Sequence, residues 1–238
     1  MRRKAILLSH EDEILASNKD VSDVERFLLS YTGGAWKSSE IIAKPNISLQ
    51  ALRMLIKKIQ DEGVDYLFFY FSGHGGYVRD TVIELNPSGE VISERDISKI
   101  VPRQINIFDC CRVRAEPLKI WNSMDSLSES RNLIKEVVRE KFERRVMEAL
   151  PQQLSLYACQ VGESAFDFGK GGIYTQNLLM TTKSFTSEFL LALQAHNLAY
   201  QPTVAAAALR REKQHPDYFA GKYLSRYQLP LALNLNII

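Results

Sequence analysis

The amino-acid sequence predicts an α/β fold built on a parallel β-sheet. Two continuous apolar runs, residues 65–71 and 104–108, have the length and the β-branched and aromatic content of strands that are buried on both faces. Upstream of the first run, strand and helix patterns alternate along the chain, which implies right-handed crossovers between parallel strands. With 238 residues and a hydrophobic content of 45%, the chain can form a substantial core as one large domain or two small ones.

The amino-terminal part of the chain follows this alternation. Residues 4–8 are predicted to form a buried strand, and residues 21–29 a helix, because their apolar side chains recur at helical spacing. A short second strand at 41–43 stops just before a proline. Ser48 is expected to cap the next helix, which has one apolar face and ends at Gly63.

The centre of the chain departs from the alternation. Residues 81–85 and 90–92 flank a turn of Asn, Pro, Ser and Gly and predict a β-hairpin. A capping-box pattern opens a short helix near residue 93. After the second apolar run, residues 123–130 are polar and rich in turn formers. Residues 132–150 predict an amphipathic helix with a basic face, stopped by a proline.

The carboxyl-terminal part predicts one more core strand and several helices. The strand covers residues 154–159, and one helix begins near residue 173. Two further helices are predicted at 185–196 and 202–213. Residues 228–233 are expected to form a last edge strand, because the proline within this run excludes a central position.

Both long apolar runs lead into residues that can carry out chemistry. His74 lies between two glycines after the first run, and Cys111 follows the second run. Functional groups collect at the carboxyl ends of parallel strands, so an imidazole and a thiol are expected on one edge of the sheet. An imidazole that accepts the thiol proton activates cysteine as a nucleophile, and a glycine such as Gly75 leaves a backbone N–H open to an oxyanion. The alternative is that His74 is a buried histidine satisfied by backbone groups.

The cysteines need to be told apart, since only one of Cys110 and Cys111 can be the nucleophile. Neighbouring residues at a strand end face opposite sides, so the other thiol is expected to point into the core. Cys159 is expected to be a core residue. Three cysteines, two of them adjacent, form no sensible disulfide framework, and this composition favours a reducing cytoplasm.

The motifs Ser-Gly-His-Gly at 72–75 and Asp-Cys-Cys-Arg at 109–112 resemble the caspase, metacaspase and paracaspase group of cysteine peptidases. The second motif departs from the caspase signature Gln-Ala-Cys-X-Gly, and the spacing from His74 to Cys111 is shorter than the roughly 50 residues of that signature. Both departures favour the metacaspase-like, prokaryotic side of the group. Its Asp-x-Cys pattern assigns Cys111 as the nucleophile.

The resemblance implies a caspase-like three-layer sandwich. A six-stranded, mostly parallel sheet with an antiparallel last strand would lie between two layers of helices. Residues 1–238 would form a single peptidase domain, with residues 116–150 as a helical insertion or linker between large-subunit-like and small-subunit-like parts. Segments 157–160 and 171–175 are similar to the strand and loop that close the substrate cleft in caspase-like bacterial proteins.

The resemblance also implies the chemistry. A Cys111–His74 dyad would hydrolyse peptide bonds through a thioester, with a backbone carbonyl orienting the imidazole. The backbone N–H groups of Gly75 and Cys111 would form the oxyanion hole. The rival hypothesis is a caspase-like scaffold without turnover that acts by binding a partner, and the intact His74 and Cys111 argue against it.

Substrate choice follows from the metacaspase pattern of carboxylates beside the nucleophile. The matching positions for the pocket that binds the residue before the cleaved bond (the S1 pocket) are Asp20, Ser72 and Asp109. Carboxylates form strong charge-assisted hydrogen bonds with guanidinium groups, so cleavage is predicted after Arg and less often after Lys. The alternatives are a structural cap for Asp109 and a helix N-cap for Asp20. Arg112 is expected to be structural rather than substrate-reading.

No cofactor or metal is expected. Metacaspases often bind calcium through an acidic cluster downstream of the histidine, and here that region holds only Asp80, Glu84 and Glu90, which argues against calcium dependence.

The expected partners are a protein substrate and, as a further option, an activating protein. The net charge of +2 and the lack of a basic tract give no indication of nucleic acid. No apolar run approaches the roughly 20 residues that span a bilayer, and the first apolar run is too short for a signal-peptide core. Relatives of this kind serve bacterial regulated cell death or antiphage defence, and that role is an implication of the resemblance.

The basic helix at 132–150 has two interpretations. The first is a solvated amphipathic helix. The second is that arginines or lysines in this helix, or in the loop at 123–131, are sites of self-cleavage or activation.

Overall fold

The structure is a computed structural model, and it describes residues 1–10, 15–114, 133–167 and 169–237. The strands are β1 (Arg3–Ser9), β2 (Ile41–Pro45), β3 (Tyr66–Gly73), β4 (Gly75–Tyr77), β5 (Thr81–Glu84), β6 (Val91–Ser93), β7 (Arg103–Cys110), β8 (Gln152–Tyr157), β9 (Phe189–Leu191), β10 (Asp217–Ala220) and β11 (Pro230–Leu233). The helices are α1 (Leu15–Leu29), α2 (Leu49–Asp61), α3 (Glu94–Ile97), α4 (Leu133–Glu148), α5 (Ile173–Thr181) and α6 (Ala192–Ala208).

The centre of the molecule is a six-stranded sheet in the order β10-β8-β7-β3-β1-β2. All neighbouring strands are parallel except β10, which runs antiparallel to β8 at the edge. The two apolar runs of the sequence are β3 and β7, and they pair directly in the middle of the sheet. The predicted α/β class and the six-stranded, mostly parallel sheet with an antiparallel last strand are therefore confirmed.

Helices cover both faces of this sheet. Alternate β3 side chains point to opposite faces, so Phe68 and Tyr70 pack with α1, α4, α5 and α6, whereas Phe69 and Phe71 pack with α2 and α3. Both sets of strand residues are almost fully buried. Burial on two faces explains why β3 is continuously apolar rather than alternating.

A small antiparallel sheet follows β3 directly. The predicted hairpin is present as β5 and β6, and β4 adds a third strand immediately after His74. Ser93 caps the short helix α3 by accepting a hydrogen bond from the Arg95 N–H, as the capping pattern predicts. This sheet lies beside the segment after β7, because the Tyr77 N–H donates to the Val113 carbonyl at 2.8 Å.

The prediction for the antiparallel edge strand was wrong in its location. The edge of the main sheet is β10, whereas β11 pairs with β9 in a separate two-stranded sheet. All four residues of β11 are buried, and Leu231 and Leu233 pack on the α1 side of the core. Which strand forms the edge of the main sheet depends on pairing with strands tens of residues away and not on the local apolar run.

The two helices predicted at 185–196 and 202–213 are replaced by β9 and the single helix α6. Pro202 lies inside α6 and does not end it. Proline removes one backbone donor, but Ala195 and Ala199 on the same helix are fully buried against the core. Packing of this small-residue face, mainly against α5, holds the helix together across the proline.

Helix α4 packs on the core as its apolar spacing predicts, through Val138, Phe142 and Val146, although Val137 is exposed. Its basic face is not simply solvated. Arg139 forms ion pairs with Glu40 and Glu143, and Arg145 is buried. The proposed linker covers residues 116–150; its first part, residues 116–132, which includes the loop at 123–131, lies outside the described residues.

Candidate active site

His74 and Cys111 emerge at the same edge of the sheet. Strands β3 and β7 are parallel, and their last paired residues are Gly73 and Cys110. The next residue on each strand is His74 and Cys111, respectively. Both line one cleft with a volume of about 150 Å³. This arrangement agrees with the expectation that the ends of two parallel strands bring the imidazole and the thiol to one edge of the sheet.

The turn that carries His74 requires glycine at position 73. Gly73 has φ +148°, and a Cβ there would lie 2.6 Å from the Cβ of His10. On the other side, the Glu84 N–H donates to the His74 carbonyl at 3.0 Å. The backbone of His74 is therefore fixed from both sides, by close packing before it and by the β4–β5 pairing after it.

His10 contacts His74 from behind the cleft, and the sequence analysis did not identify it. It follows β1, is 1% exposed, and its ring meets the His74 ring edge-on at a centroid distance of 4.9 Å. The backbone N–H of His10 donates a hydrogen bond to the Ser72 carbonyl, and the backbone carbonyl of His10 accepts one from the Ser17 hydroxyl. The signal was available, because His10 also stands at the carboxyl end of a predicted parallel strand.

The two adjacent cysteines have different environments. Cys110 is 1% exposed in the core, and burial raises the pKa of its thiol well above the usual value. Cys111 is half-buried, and its Sγ lies 3.7 Å from the Ala165 carbonyl oxygen across the cleft. Cys159 is also buried, and burial raises the pKa of its thiol. The geometry favours Cys111 as the reactive thiol of the three.

The Gly75 N–H faces the Cys111 side of strand β4. In an antiparallel pair, hydrogen-bonded and non-hydrogen-bonded positions alternate, and the Glu84 N–H to His74 carbonyl bond makes residue 74 a hydrogen-bonded position. Gly75 and Tyr77 are then non-hydrogen-bonded positions whose N–H groups point away from β5. The Tyr77 N–H does so, because it donates to Val113. A Cβ on Gly75 would lie 3.0 Å from the Cys111 carbonyl oxygen.

Arg112 anchors the segment that carries Cys111. Its guanidinium lies 3.9 Å from the Tyr157 ring centroid, and it donates to the Thr81 hydroxyl, the Cys159 carbonyl and the Asp217 carboxylate. These partners belong to β5, β8, β10 and the segment after β8. Arg112 is 6% exposed and does not face the cleft. The structure thus gives it the structural role that the sequence analysis expected.

Replacing Arg112 with alanine is expected to destabilise the protein by about 2–4 kcal/mol, because it removes buried hydrogen bonds and the contact with Tyr157. Urea unfolding would measure this free energy. Arg95→Ala is the matched control, since its guanidinium pairs with Asp80 but is 75% exposed. Equal stability of the two variants would contradict an anchoring role for Arg112.

Two buried carboxylates line the cleft. Asp20 accepts hydrogen bonds from the Ser72 hydroxyl at 3.0 Å and the Gly172 N–H at 2.8 Å. Asp109 accepts hydrogen bonds from the backbone N–H of Thr175 at 3.0 Å and from the Thr175 hydroxyl at 2.6 Å. Asp20, Ser72 and Asp109, the three residues predicted for the S1 pocket, therefore lie together with His74 and Cys111.

These contacts also decide the structural alternatives. Asp20 lies inside α1, so the helix N-cap hypothesis for it was wrong. Asp109 does cap a structural element, because it accepts the N–H of the third residue of α5. Position 172 must be glycine for this arrangement, since a Cβ there would lie 2.3 Å from Asp109 Oδ2. The sequence analysis placed the 171–175 loop at the cleft but did not identify Gly172 and Thr175 as partners of the two carboxylates.

The carboxylates influence each other's ionisation. Burial and then repulsion from Asp20 raise the pKa of Asp109 to about 7. Burial also raises the pKa of Asp20, although the hydrogen bonds from Gly172, Gln176 and Ser72 act to lower it. Two carboxyl groups in one buried site resist double ionisation, and a bound cation would relieve this repulsion.

Two of the three acidic residues weighed for calcium, Asp80 and Glu90, have other partners. Asp80 forms an ion pair with Arg95 at 3.0 Å, and Glu90 accepts the Leu49 N–H at the start of α2. Within the described parts of the chain, no three acidic, histidine or cysteine side chains cluster as a metal site. Among the same residues, none of the helices has the length and apolar content needed to cross a membrane.

A mostly parallel sheet that brings a half-buried thiol and an imidazole to one cleft is an arrangement that cysteine hydrolases use. The sequence matches the family model of the caspase domain (Peptidase_C14) over residues 2–223. The chain therefore belongs to the caspase-domain family of cysteine peptidases, which confirms the resemblance.

Solved structures agree on the fold. The structure is similar to caspase-1 from Spodoptera frugiperda, with a TM-score of 0.58 and 13% identity over 92% of this chain and 86% of that chain. It is also similar to a protein from Geobacter sulfurreducens, with a TM-score of 0.54 and 13% identity over 96% of this chain and 97% of that chain. At this identity the likeness concerns the caspase-like fold. A search for similar sequences among curated proteins gave no match.

Proposed function

We propose that the protein is a cysteine endopeptidase that cleaves after basic residues, with Cys111 as nucleophile and His74 as general base. The observation that carries the proposal is the shared cleft. A half-buried thiol, an imidazole and two buried carboxylates line one recess at the carboxyl edge of the sheet. The family membership supports the peptidase chemistry, and the carboxylates support the choice of substrate.

The proposed reaction has two halves, formation of a thioester on Cys111 and its hydrolysis. His74 accepts the Sγ proton of Cys111, and the thiolate attacks the scissile carbonyl carbon. The N–H groups of Gly75 and Cys111 donate to the resulting oxyanion. The imidazolium then gives its proton to the leaving amine, and a thioester forms. Water, deprotonated by His74, attacks the thioester and releases the carboxylic acid and the Cys111 thiol.

The positive charge of a substrate arginine is complementary to the carboxylates of the recess. The Asp20 carboxylate is close enough to raise the pKa of Asp109, and a guanidinium between the two would be matched by two negative charges. The Ser72 hydroxyl, which now donates to Asp20, lies on the same wall. A lysine ammonium offers a point charge without the planar fork, so we expect weaker use of Lys.

The test is hydrolysis of matched fluorogenic peptides that end in Arg, Lys or Asp, each with and without calcium. We expect cleavage of Arg over Lys, no cleavage after Asp and no calcium requirement. An arginyl chloromethylketone should label Cys111, as read by mass spectrometry. Preference for Asp would overturn the specificity, whereas no labelling and no turnover in the presence of a cell extract would favour the scaffold hypothesis.

The proposal extends to the setting of the protein. All three thiols are free, and a thiol nucleophile stays reduced in the cytoplasm, which we propose as its compartment. By family resemblance we propose a role in bacterial regulated cell death or antiphage defence, with release of activity by a protein partner. Comparing wild type with Cys111→Ala on a gel tests self-cleavage, and identical banding would reject it.

A further inference from the structure

A second hollow lies at the opposite end of the molecule from the cleft. Helix α4 ends just before the amino terminus of β8, whereas the cleft lies at the carboxyl ends of β3 and β7. Beside the end of α4, against β9 and the start of α6, is a hollow of about 580 Å³. An adjoining hollow of about 230 Å³ shares Arg145, Glu188 and Phe189 with it. We name the two together the Arg145 groove.

Arg145 is the unusual residue of this groove. It is 9% exposed, and its Nη2 donates to the Ser225 carbonyl at 3.1 Å. Its Nη1 is buried without a hydrogen-bond partner. Its guanidinium carbon lies 5.9 Å from the Phe189 ring centroid. Within the described residues, no carboxylate forms an ion pair with it, in contrast to Arg3 and Arg139 on the same side of the sheet.

A buried guanidinium without an anionic partner is energetically unfavourable. Removal of the group from water is compensated only when an opposite charge and hydrogen bonds replace the lost hydration. Arg145 has one hydrogen bond, the Phe189 ring, the carbonyl end of α4 and the Glu148 charge without an ion-pair contact, each of which is a weak substitute. An arginine held in this state beside an open hollow points to an anionic ligand.

The charges of the groove set the charge of that ligand. Lys141 and Glu188 pair with each other at 2.7 Å. The remaining charged side chains of the groove are Arg144, Arg145 and Glu148, which leave one positive charge in excess. The carboxyl-terminal end of α4 carries a partial negative charge, which disfavours a doubly charged phosphate. A single carboxylate is therefore the best match.

The remaining walls of the groove suit a peptide. Leu191, Leu193 and Phe189 give an apolar surface, and the side-chain amides of Gln194 and Gln228 can bond backbone N–H and carbonyl groups. A volume of several hundred Å³ accommodates a few residues of an extended chain. We propose that the Arg145 groove binds an acidic segment of another protein, with one Asp or Glu carboxylate on Arg145, outside the catalytic cleft.

The test uses the full-length Cys111→Ala variant, so that bound peptides are not cleaved. Peptides with a central Glu, Gln or phosphoserine and randomised flanking residues are screened on an array, and selected ones are titrated by fluorescence polarisation. We expect enrichment of Glu peptides, with Kd at least about tenfold higher after a further Arg145→Met substitution. Arg53→Gln, which removes an exposed arginine on α2, is the matched control and should leave Kd unchanged.

Thermal unfolding separates a ligand site from a structural arginine. Because Arg145 forms no ion pair with a carboxylate of the described residues, Arg145→Met is expected to keep or raise the Tm of the free protein while it weakens peptide binding. Hydrolysis of short peptides by Arg145→Met in the Cys111 background should match wild type. Absence of Glu enrichment, enrichment of phosphoserine instead, or unchanged binding with a lowered Tm would each overturn the proposal. None of these outcomes depends on the catalytic assignment.

Discussion

Replacing Cys111 with alanine is expected to lower kcat/KM for an arginyl peptide by about 10,000-fold or more, since the other two thiols, Cys110 and Cys159, are buried. His74→Ala is expected to cost about 100- to 10,000-fold, because the thiol then lacks its general base. Steady-state hydrolysis of one fluorogenic peptide measures both. Cys159→Ala is the matched control and should retain activity, because this thiol is buried away from the cleft.

The same variants test the assignment between the adjacent cysteines. Alkylation by iodoacetamide should label Cys111 first in the native protein, and His74→Ala should slow that labelling at neutral pH, because less thiolate forms. Faster labelling of Cys110, or activity that survives Cys111→Ala, would remove Cys111 from the proposed mechanism. Full activity of His74→Ala would remove the dyad but leave the fold and the family unaffected.

Asp109→Asn is expected to lower kcat/KM for arginyl peptides by about 10- to 100-fold, because it removes a charge-assisted hydrogen bond to the guanidinium. Asparagine keeps an oxygen that can accept the Thr175 N–H, so the α5 cap is retained. The loss should appear mainly for Arg and Lys peptides, measured against a neutral P1 residue. Asp61→Asn, at an exposed position at the end of α2, is the control. An equal loss for all peptides would mean that Asp109 supports the fold and does not read the substrate.

The pH dependence gives an independent test of Asp109. Its pKa of about 7 means that the carboxyl is protonated below neutral pH and cannot bind a guanidinium through charge. We expect the ratio of wild-type to Asp109→Asn kcat/KM to rise as pH increases through 7. A ratio that is flat from pH 5.5 to 8.5 would contradict the proposal that ionised Asp109 binds the substrate guanidinium.

The same group affects folding stability with the opposite trend. Native Asp109 keeps its proton to about pH 7, whereas the unfolded chain releases it near 3.8. The folded state therefore binds more protons between these values, and the contribution of Asp109 to stability falls as pH rises through this window. Urea unfolding at pH 5 and pH 8 should show this decrease in wild type and a smaller one in Asp109→Asn.

Much of the fold and the two candidate catalytic residues could be predicted from local sequence. Continuous apolar runs predicted β3 and β7, because strands buried on both faces have no polar side to alternate with. The positions of His74 and Cys111 at the ends of those runs then predicted a common edge. The Asp109 and Asp20 pair followed from the family pattern, and not from spacing, since α1 and β7 are far apart in the chain.

The rest was decided by tertiary contacts that leave no local pattern. Strands β10 and β11 have similar lengths, yet only long-range pairing places one at the sheet edge and the other against β9. Packing of buried alanines carries α6 through Pro202. The ring contact of His10 with His74 arises where distant elements meet, and so does the burial of Arg145 Nη1 without a hydrogen-bond partner. Sequence determined most of the strands and helices, because periodic burial is local. Tertiary structure determined which side chains share an environment, because that depends on partners far along the chain.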